Sequence, residues 1–367
     1  MGRILVERDI EAAVKGGSVF ACGGGGWADH GRTLGLAAVN AGQPELVSID
    51  ELPETAWVAT AAAIGAPAST TAWQMLGVDY VKSVQLVERE LGAPIAGLII
   101  GQNGKSSTLN AWLPSAILGT KVVDAVGDLR AHPTGDMGSI GLADSPERMI
   151  QSAVGGNRSN NSYIELIVRG ATAKISPILR KAADMAGGFI ASCRNPVPAS
   201  YVKRHAALGG ISMALDLGAA ILAAERKGRA AVIEAICKQT GGEIIGQGKL
   251  AKKAVRYTPE AFDIGTLRIE QGKKQYILHV MNEYIAVESA AGERLATYPD
   301  IITTLDRSGV PISVGEMSEG QELLILRVAK DCIPLSSSVS DPSVYPPVEA
   351  ALGISISDYA LEPRLER

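Results

Sequence analysis

Ser18-Val19-Phe20-Ala21-Cys22-Gly23-Gly24-Gly25-Gly26 is the stretch on which the fold turns, because a helical pattern follows it over residues 30–41. An apolar run that ends in glycines and feeds a helix reads as a buried strand, a tight turn and a crossover. The same alternation continues outward. Apolar runs at 45–49, 57–64, 95–100 and 121–124 read as strands, the second closed by Gly65-Ala66-Pro67 and the third by Gly101-Gln102-Asn103-Gly104. Amphipathic stretches at 7–16, 80–91 and 108–118 read as helices between them. Strands that alternate with helices predict a mostly parallel sheet with both faces covered.

A second style follows. Residues 164–168 read as a strand, and 175–186, 201–207, 211–226 and 230–240 as helices. From Gly241 onward the pattern has period two, with strands at 266–270, 275–280, 284–288 and 322–328. Ser336-Ser337-Ser338 with Pro342, Pro346 and Pro347 reads as a loop-like tail. The expectation is an α/β chain: an N-terminal domain over 1–165 with a mostly parallel sheet and flanking helices, and a C-terminal helical and antiparallel β-rich domain over 166–367.

Composition narrows the class. The chain has 367 residues, more than one ordinary domain, and 46% of them are apolar, enough for two cores. Its net charge is −4, without a Lys/Arg run longer than a pair, so neither nucleic acid nor an anionic membrane is an expected partner. Arg3, Glu7, Arg8 and Asp9 break up any apolar leader, and no apolar run is long enough to cross a membrane. Cys22, Cys193, Cys237 and Cys332 are far apart and read as free thiols of a reducing compartment. A cytoplasmic protein with a small-molecule substrate, acting as a homo-oligomer, is the expectation.

Three groups of residues carry candidate chemistry. The glycine turn is expected to offer the backbone N–H groups of Gly24, Gly25 and Gly26 to an anionic substituent, so that Gly25→Val would harm function more than folding. Gly23, Gly25 and Ala28 also fit a dinucleotide fingerprint, with Asp50 downstream for a ribose. The second group is the loop after the strand at 121–124. Asp124, Asp128, His132 and Asp136 recur every fourth residue there, but Gly127, Pro133 and Gly135 forbid one continuous helix. Carboxylates and an imidazole beyond a strand end suit a divalent metal such as zinc, or a base with an Arg130 clamp. The third group is Cys193 beside Arg194, a candidate nucleophile, and His205 ahead of Gly209-Gly210. Asn103 is a candidate to reach a substrate carbonyl. The polar pair Asn282-Glu283, interrupting an alternating strand, is expected to face the N-terminal domain and touch substrate.

Taken in order, several of these stretches resemble the S-methyl thiohydantoin desulfurase family. The resemblance is carried by Phe20-Ala21-Cys22 with its glycines, Ile49-Asp50-Glu51-Leu52-Pro53, Ile64-Gly65-Ala66-Pro67, Val122-Val123-Asp124-Ala125 and Gly127-Asp128-Leu129-Arg130-Ala131 with Met137. It resumes at Val202-Lys203-Arg204, Asn282-Glu283-Tyr284 and Pro299-Asp300-Ile301-Ile302. The resemblance implies an N-terminal α/β domain, a β-rich C-terminal domain, and hydrolysis at a thiohydantoin ring carbon with release of methanethiol. The genes of that family often lie beside hydantoinase and oxoprolinase genes. This chain departs from the expected pattern at His132-Pro133-Thr134 and at 205–210.

The expected activity is therefore hydrolysis of a small cyclic amide, imide or thiohydantoin. Asp128, His132, His205 and Cys193 are the catalytic candidates. Asp124, Asp128, His132 and His205 are the candidate metal ligands. Gly24–Gly26, Asn103, Arg130, Asn282 and Glu283 are the candidate substrate contacts. Two alternatives stay open: a non-catalytic small-molecule-binding subunit of a hydantoinase-like assembly, and a nucleotide-binding oxidoreductase.

Overall fold

The computed structural model describes residues 2–66 and 73–363, so Pro67 of the second strand's closing turn lies outside the described residues. The first sheet is built from β1 (Arg3–Ile4), β2 (Glu45–Val47), β3 (Trp57–Gly65), β4 (Gly97–Gln102), β5 (Lys121–Asp128), β6 (Met149–Gly155), β7 (Ile164–Gly170), β8 (Phe189–Pro198) and β9 (Ala207–Leu208). Its order is β1-β2-β5-β4-β3-β8-β6-β7, with β9 on β5. The expected parallel sheet is its centre: β2, β5, β4 and β3 pair in parallel, and every pairing outside that run is antiparallel. Central strands covered on both faces are continuously apolar, and Leu98, Ile99, Ile100, Val122 and Val123 are buried accordingly.

Helices α1 (Glu7–Phe20), α2 (Ala28–Ala41), α3 (Gly77–Leu91), α4 (Trp112–Leu118), α5 (Thr172–Met185), α6 (Ala199–His205), α7 (Gly210–Glu225) and α8 (Arg229–Thr240) precede the second sheet. One expectation fails here. Residues 18–22 are not a strand: α1 continues through Gly16 and Gly17 to Phe20, and only then does the turn begin. These glycines mark a close helix crossing rather than a break. A Cβ on Gly16 would lie 1.7 Å from the Ala214 carbonyl oxygen, and one on Gly218 would lie 1.8 Å from that of Ala12, so α1 and α7 touch backbone to backbone.

The second sheet comprises β10 (Glu243–Tyr257), β11 (Asp263–Gln271), β12 (Lys274–Met281), β13 (Glu283–Ser289), β14 (Arg294–Thr297), β15 (Ile301–Leu305) and β16 (Glu322–Val328). It is antiparallel throughout, in the order β14-β13-β12-β11-β10-β16-β15. The four strands expected after Gly241 lie within β11, β12, β13 and β16. The tail is packed rather than loose: α9 (Pro346–Leu352) and α10 (Ser357–Ala360) follow short 3-10 turns, and Tyr345, Val348 and Ile356 are buried.

The first sheet does not stop at residue 165, since β7, β8 and β9 all belong to it. The two sheets are joined through α1 and the turn after it. One continuous apolar core runs from Val19 and Phe20 to Ile301, Leu305 and Leu326. Thr303 Oγ1 donates to the Val19 carbonyl at 2.6 Å, and the Tyr284 N–H donates to the Cys22 carbonyl at 2.7 Å.

Candidate active site

The turn between α1 and α2 is a run of left-handed backbone, with φ of 48° at Cys22, 89° at Gly23, 75° at Gly25 and 82° at Gly26. Other segments close on it directly. The Val314 N–H donates to the Gly23 carbonyl at 3.0 Å, and the Ser106 N–H to that of Gly25 at 3.1 Å. A Cβ on Gly24 would lie 2.2 Å from Glu283 Oε1. Beside this turn is a small open cleft lined among others by Gly26, Gln102, His132, Arg180, Arg194 and Glu283. Gly25, Asn282 and the small residues Ala62 and Ala63 at the end of β3 complete the wall. Asn282 and Glu283, expected to face the N-terminal domain, line the same cleft as Gly25, Gly26 and His132.

Charge in the cleft is unusual. Burial pushes the Glu283 carboxyl up to about 8, against the opposing pull of Arg130 and Arg180, so it holds its proton at neutral pH. Its Oε2 has no hydrogen-bond partner among the described residues. Burial first, and the Arg194 charge second, press the His132 imidazole down to about 3, so it is neutral. His132 is anchored by its main-chain N–H, which donates to Gln102 Oε1 at 3.1 Å. Its Nδ1 stands 3.9 Å from Asp128 Oδ2, too far for a hydrogen bond. Asp128 is raised to about 6, mainly by burial, and its Oδ2 accepts from the Tyr298 hydroxyl at 2.7 Å. Arg180 donates to the Pro133 and Ala261 carbonyls, and Arg194 donates to that of Gly135 at 2.7 Å. Burial lowers both guanidinium pKa values, to about 10 for Arg180, so both stay charged. Arg194 Nε has no partner among the described residues.

Other candidates fall elsewhere. Asp124 Oδ1 accepts from the Ile211 and Ser212 N–H groups at 3.0 Å each, and so caps the start of α7. Asn103 donates to the Leu129 and Gly210 carbonyls at 3.2 and 3.0 Å, and its Oδ1 accepts from Thr108 at 3.1 Å; all its polar atoms serve the fold. Arg130 is fully buried and clamps main chain rather than substrate, donating to the Ala131, Asp300 and Tyr284 carbonyls at 3.0, 2.6 and 2.5 Å. Cys193 lies in the core, where burial raises its thiol pKa, the reverse of an activated nucleophile. His205 does not line the cleft: its Nδ1 is 2.9 Å from Ser337 Oγ and its ring stacks on Tyr201 at 4.1 Å. Of the four candidate metal ligands, only Asp128 and His132 are neighbours, and no three His, Cys, Asp or Glu side chains among the described residues form a group able to hold a metal ion. That donor set does not fit a metal. Asp50 is ion-paired with Lys203 at 2.6 Å, and the glycine turn follows a helix rather than a strand, so the dinucleotide fingerprint lacks its context.

Arg180 carries no local signal in the sequence, and Arg194 stands out there only as the neighbour of Cys193. Tyr298 went unmarked as well. Arg180 and Arg194 reach the cleft, and Tyr298 reaches Asp128, through pairing between segments distant in sequence, for which neither spacing nor period carries a signal.

Two family models match the chain. The one described as S-Me-THD-like, N-terminal domain, matches residues 8–165, and the one described as S-Me-THD-like, C-terminal domain, matches residues 171–333. No curated protein matches. Among solved structures, the crystal structure of a protein from Chromobacterium violaceum is 21% identical, covers 99% of each chain and superposes with a TM-score of 0.74, which establishes a shared fold.

Proposed function

We propose that this chain, which belongs to the S-methyl thiohydantoin desulfurase family, hydrolyses a small cyclic amide, imide or S-methyl thiohydantoin in the cleft beside Gly24–Gly26. The observation that carries the reading is the meeting of a protonated carboxyl, a neutral imidazole, the buried Arg194 guanidinium and the half-buried Arg180 guanidinium from four distant segments.

Hydrolysis at a ring carbon that bears an S-alkyl group needs water to attack, negative charge to be stabilised and the sulfur to leave. Water forms the new C–O bond, and the C–S bond then breaks. One water proton ends on the ring nitrogen and the other on the departing thiol, which leaves a ring carbonyl. Neutral His132 accepts a hydrogen bond from the attacking water and orients it toward the ring carbon. Arg194, whose Nε has no partner among the described residues, faces the negative charge that develops, and Arg180 adds its positive charge to the same wall. Glu283, holding its proton, is the acid for the ring nitrogen or the leaving sulfur. The small side chains of Ala62, Ala63, Gly25 and Gly26 leave room for a flat ring.

The test is thiol release from an S-methyl thiohydantoin, read with a chromogenic disulfide, alongside chromatography for ring opening of plain hydantoins. Release that disappears in Glu283→Gln and in His132→Ala, with both variants still folded, supports the reading. Rings that bind without any bond breaking would sink it and favour a non-catalytic binding subunit.

A further inference from the structure

Arg180 sits on α5, away from the segments that carry His132 and Glu283, yet it bonds the main chain beside His132 and a turn that is itself bonded to Asn282. Its guanidinium donates to the Pro133 carbonyl at 2.6 Å and to the Ala261 carbonyl at 3.0 Å. It also lies over the Phe262 ring, 4.0 Å from the ring centre. Pro133 directly follows His132. On the other side, Ala261 and Phe262 lead into Asp263, which is doubly bonded to Asn282. The Asn282 N–H donates to the Asp263 carbonyl at 2.8 Å, and the Asp263 N–H donates to Asn282 Oδ1 at 2.9 Å. Glu283 directly follows Asn282. A single guanidinium thus holds the main chain next to His132 and the turn ahead of β11, which is bonded in turn to the residue before Glu283.

The turn it holds needs holding. Ala261 is at φ 62°, a left-handed conformation that alanine disfavours by about 1–2 kcal/mol, so the turn persists only if its surroundings fix it. One turn further along α5, Asp184 Oδ1 accepts from the Tyr257 hydroxyl at 2.8 Å, and the same helix face grips the end of β10 as well. A planar fork that bonds two carbonyls while stacked on a ring is a task for arginine and not for lysine, whose ammonium is a compact point charge on a flexible stem.

We infer that Arg180 is a positioning residue that fixes the separation of His132 and Glu283 by clasping the Pro133 and Ala261 carbonyls. The inference rests on the hydrolase reading for the roles of those two groups, but the clasp itself does not depend on it.

The experiment is Arg180→Lys, which keeps the charge and loses the fork. Thiol release from an S-methyl thiohydantoin is expected to drop about a hundredfold in kcat with KM little changed, the usual cost of displacing reacting groups by about 1 Å. Hydrogen exchange, read without any substrate, is expected to quicken at the amides of 132, 134 and 135 and of 261–263 together. Full activity in Arg180→Lys means that charge alone suffices and overturns the inference, as does unchanged exchange in both segments. Should the wild-type protein turn over none of the rings, the hydrolase reading fails, and exchange alone decides the clasp. Should Arg180→Lys not fold, Phe262→Leu leaves the guanidinium and removes the ring beneath it. The same paired rise in exchange is then expected, and its absence overturns the inference.

Discussion

Gly24 and Glu283 are in contact so close that a single added carbon would not fit: a Cβ on Gly24 would stand 2.2 Å from Glu283 Oε1. Gly24 is not in the left-handed region, unlike Gly23, Gly25 and Gly26, so its backbone accepts an L side chain. Gly24→Ala is therefore expected to fold, to displace the Glu283 carboxyl, and to lose about 10–100-fold in turnover. Gly25→Ala behaves differently. Its φ is 75° and its Cβ would lie 2.7 Å from the Gly104 Cα, backbone against backbone. Left-handed backbone alone costs about 1–2 kcal/mol, so melting falls along with activity. The expectation that a Gly25 substitution harms function more than folding therefore passes to Gly24. Thermal melts of the two variants beside their thiol-release rates decide it; equal melting would remove the distinction.

Arg130→Met is expected to act on stability. The guanidinium is wholly buried, and two of its acceptors, the Asp300 and Tyr284 carbonyls, belong to the second sheet's half of the chain. Its loss leaves those carbonyls unpaired away from water, at about 1–3 kcal/mol each. Denaturant unfolding should show a loss of about 2–6 kcal/mol. A loss under about 1 kcal/mol would mean that the carbonyls find other donors.

Much of the fold could be read from pattern because most elements obey one period. β12 and β16 alternate buried and less buried positions along most of their length, and β3 and β4 are mostly apolar. The failures have local causes. Gly16 and Gly17 imitate a helix end, whereas they serve the crossing of α1 with α7. Strands β6 and β8 were missed because both are buried along nearly their whole length and carry polar residues, such as Gln151, Ser152, Ser192 and Asn195, at core positions. At the site, Gly24–Gly26, His132, Asn282 and Glu283 stood out as polar or glycine residues that break a pattern. Arg130 and Asn103 stood out in the same way but turned out to bond main chain. An exposed clamp and a buried one look alike in sequence.

Glu283 predicts a pH dependence of stability. Its carboxyl is raised from an ordinary 4.5 to about 8 by burial. Between those values the folded state binds more protons than the unfolded one, so stability is highest in acid and declines as pH rises through about 8. Glu283→Gln cannot ionise and escapes the decline. The melting temperature of wild type relative to Glu283→Gln should fall steadily from about pH 5 to about pH 8 and level off above. A constant difference over that range would mean that Glu283 is already ionised in the folded protein. Thiol release should fail on the alkaline side of the same range, because the acid has lost its proton.

The two histidines first paired as partners in one site should now separate. His132 lines the cleft between Gln102 and Gly138, and a Cβ on Gly138 would meet its ring at 2.3 Å. His205 lies at the end of α6, stacked on Tyr201 and bonded to Ser337, with Gly141 of the intervening loop near its Nδ1. Its ring is engaged by a stacking partner worth about 0.5–1.5 kcal/mol, and it takes no part in lining the cleft. His205→Ala is therefore expected to melt slightly lower and to release thiol at the wild-type rate. His132→Ala is expected to melt normally and to release none. The double variant should match His132→Ala in rate and His205→Ala in melting, since separated sites act additively. A His205→Ala protein that melts normally yet loses turnover would restore a site spanning the 138–141 loop. The shared-ligand arrangement of Asp124, Asp128, His132 and His205 would then have to be built by a movement of that loop toward α6.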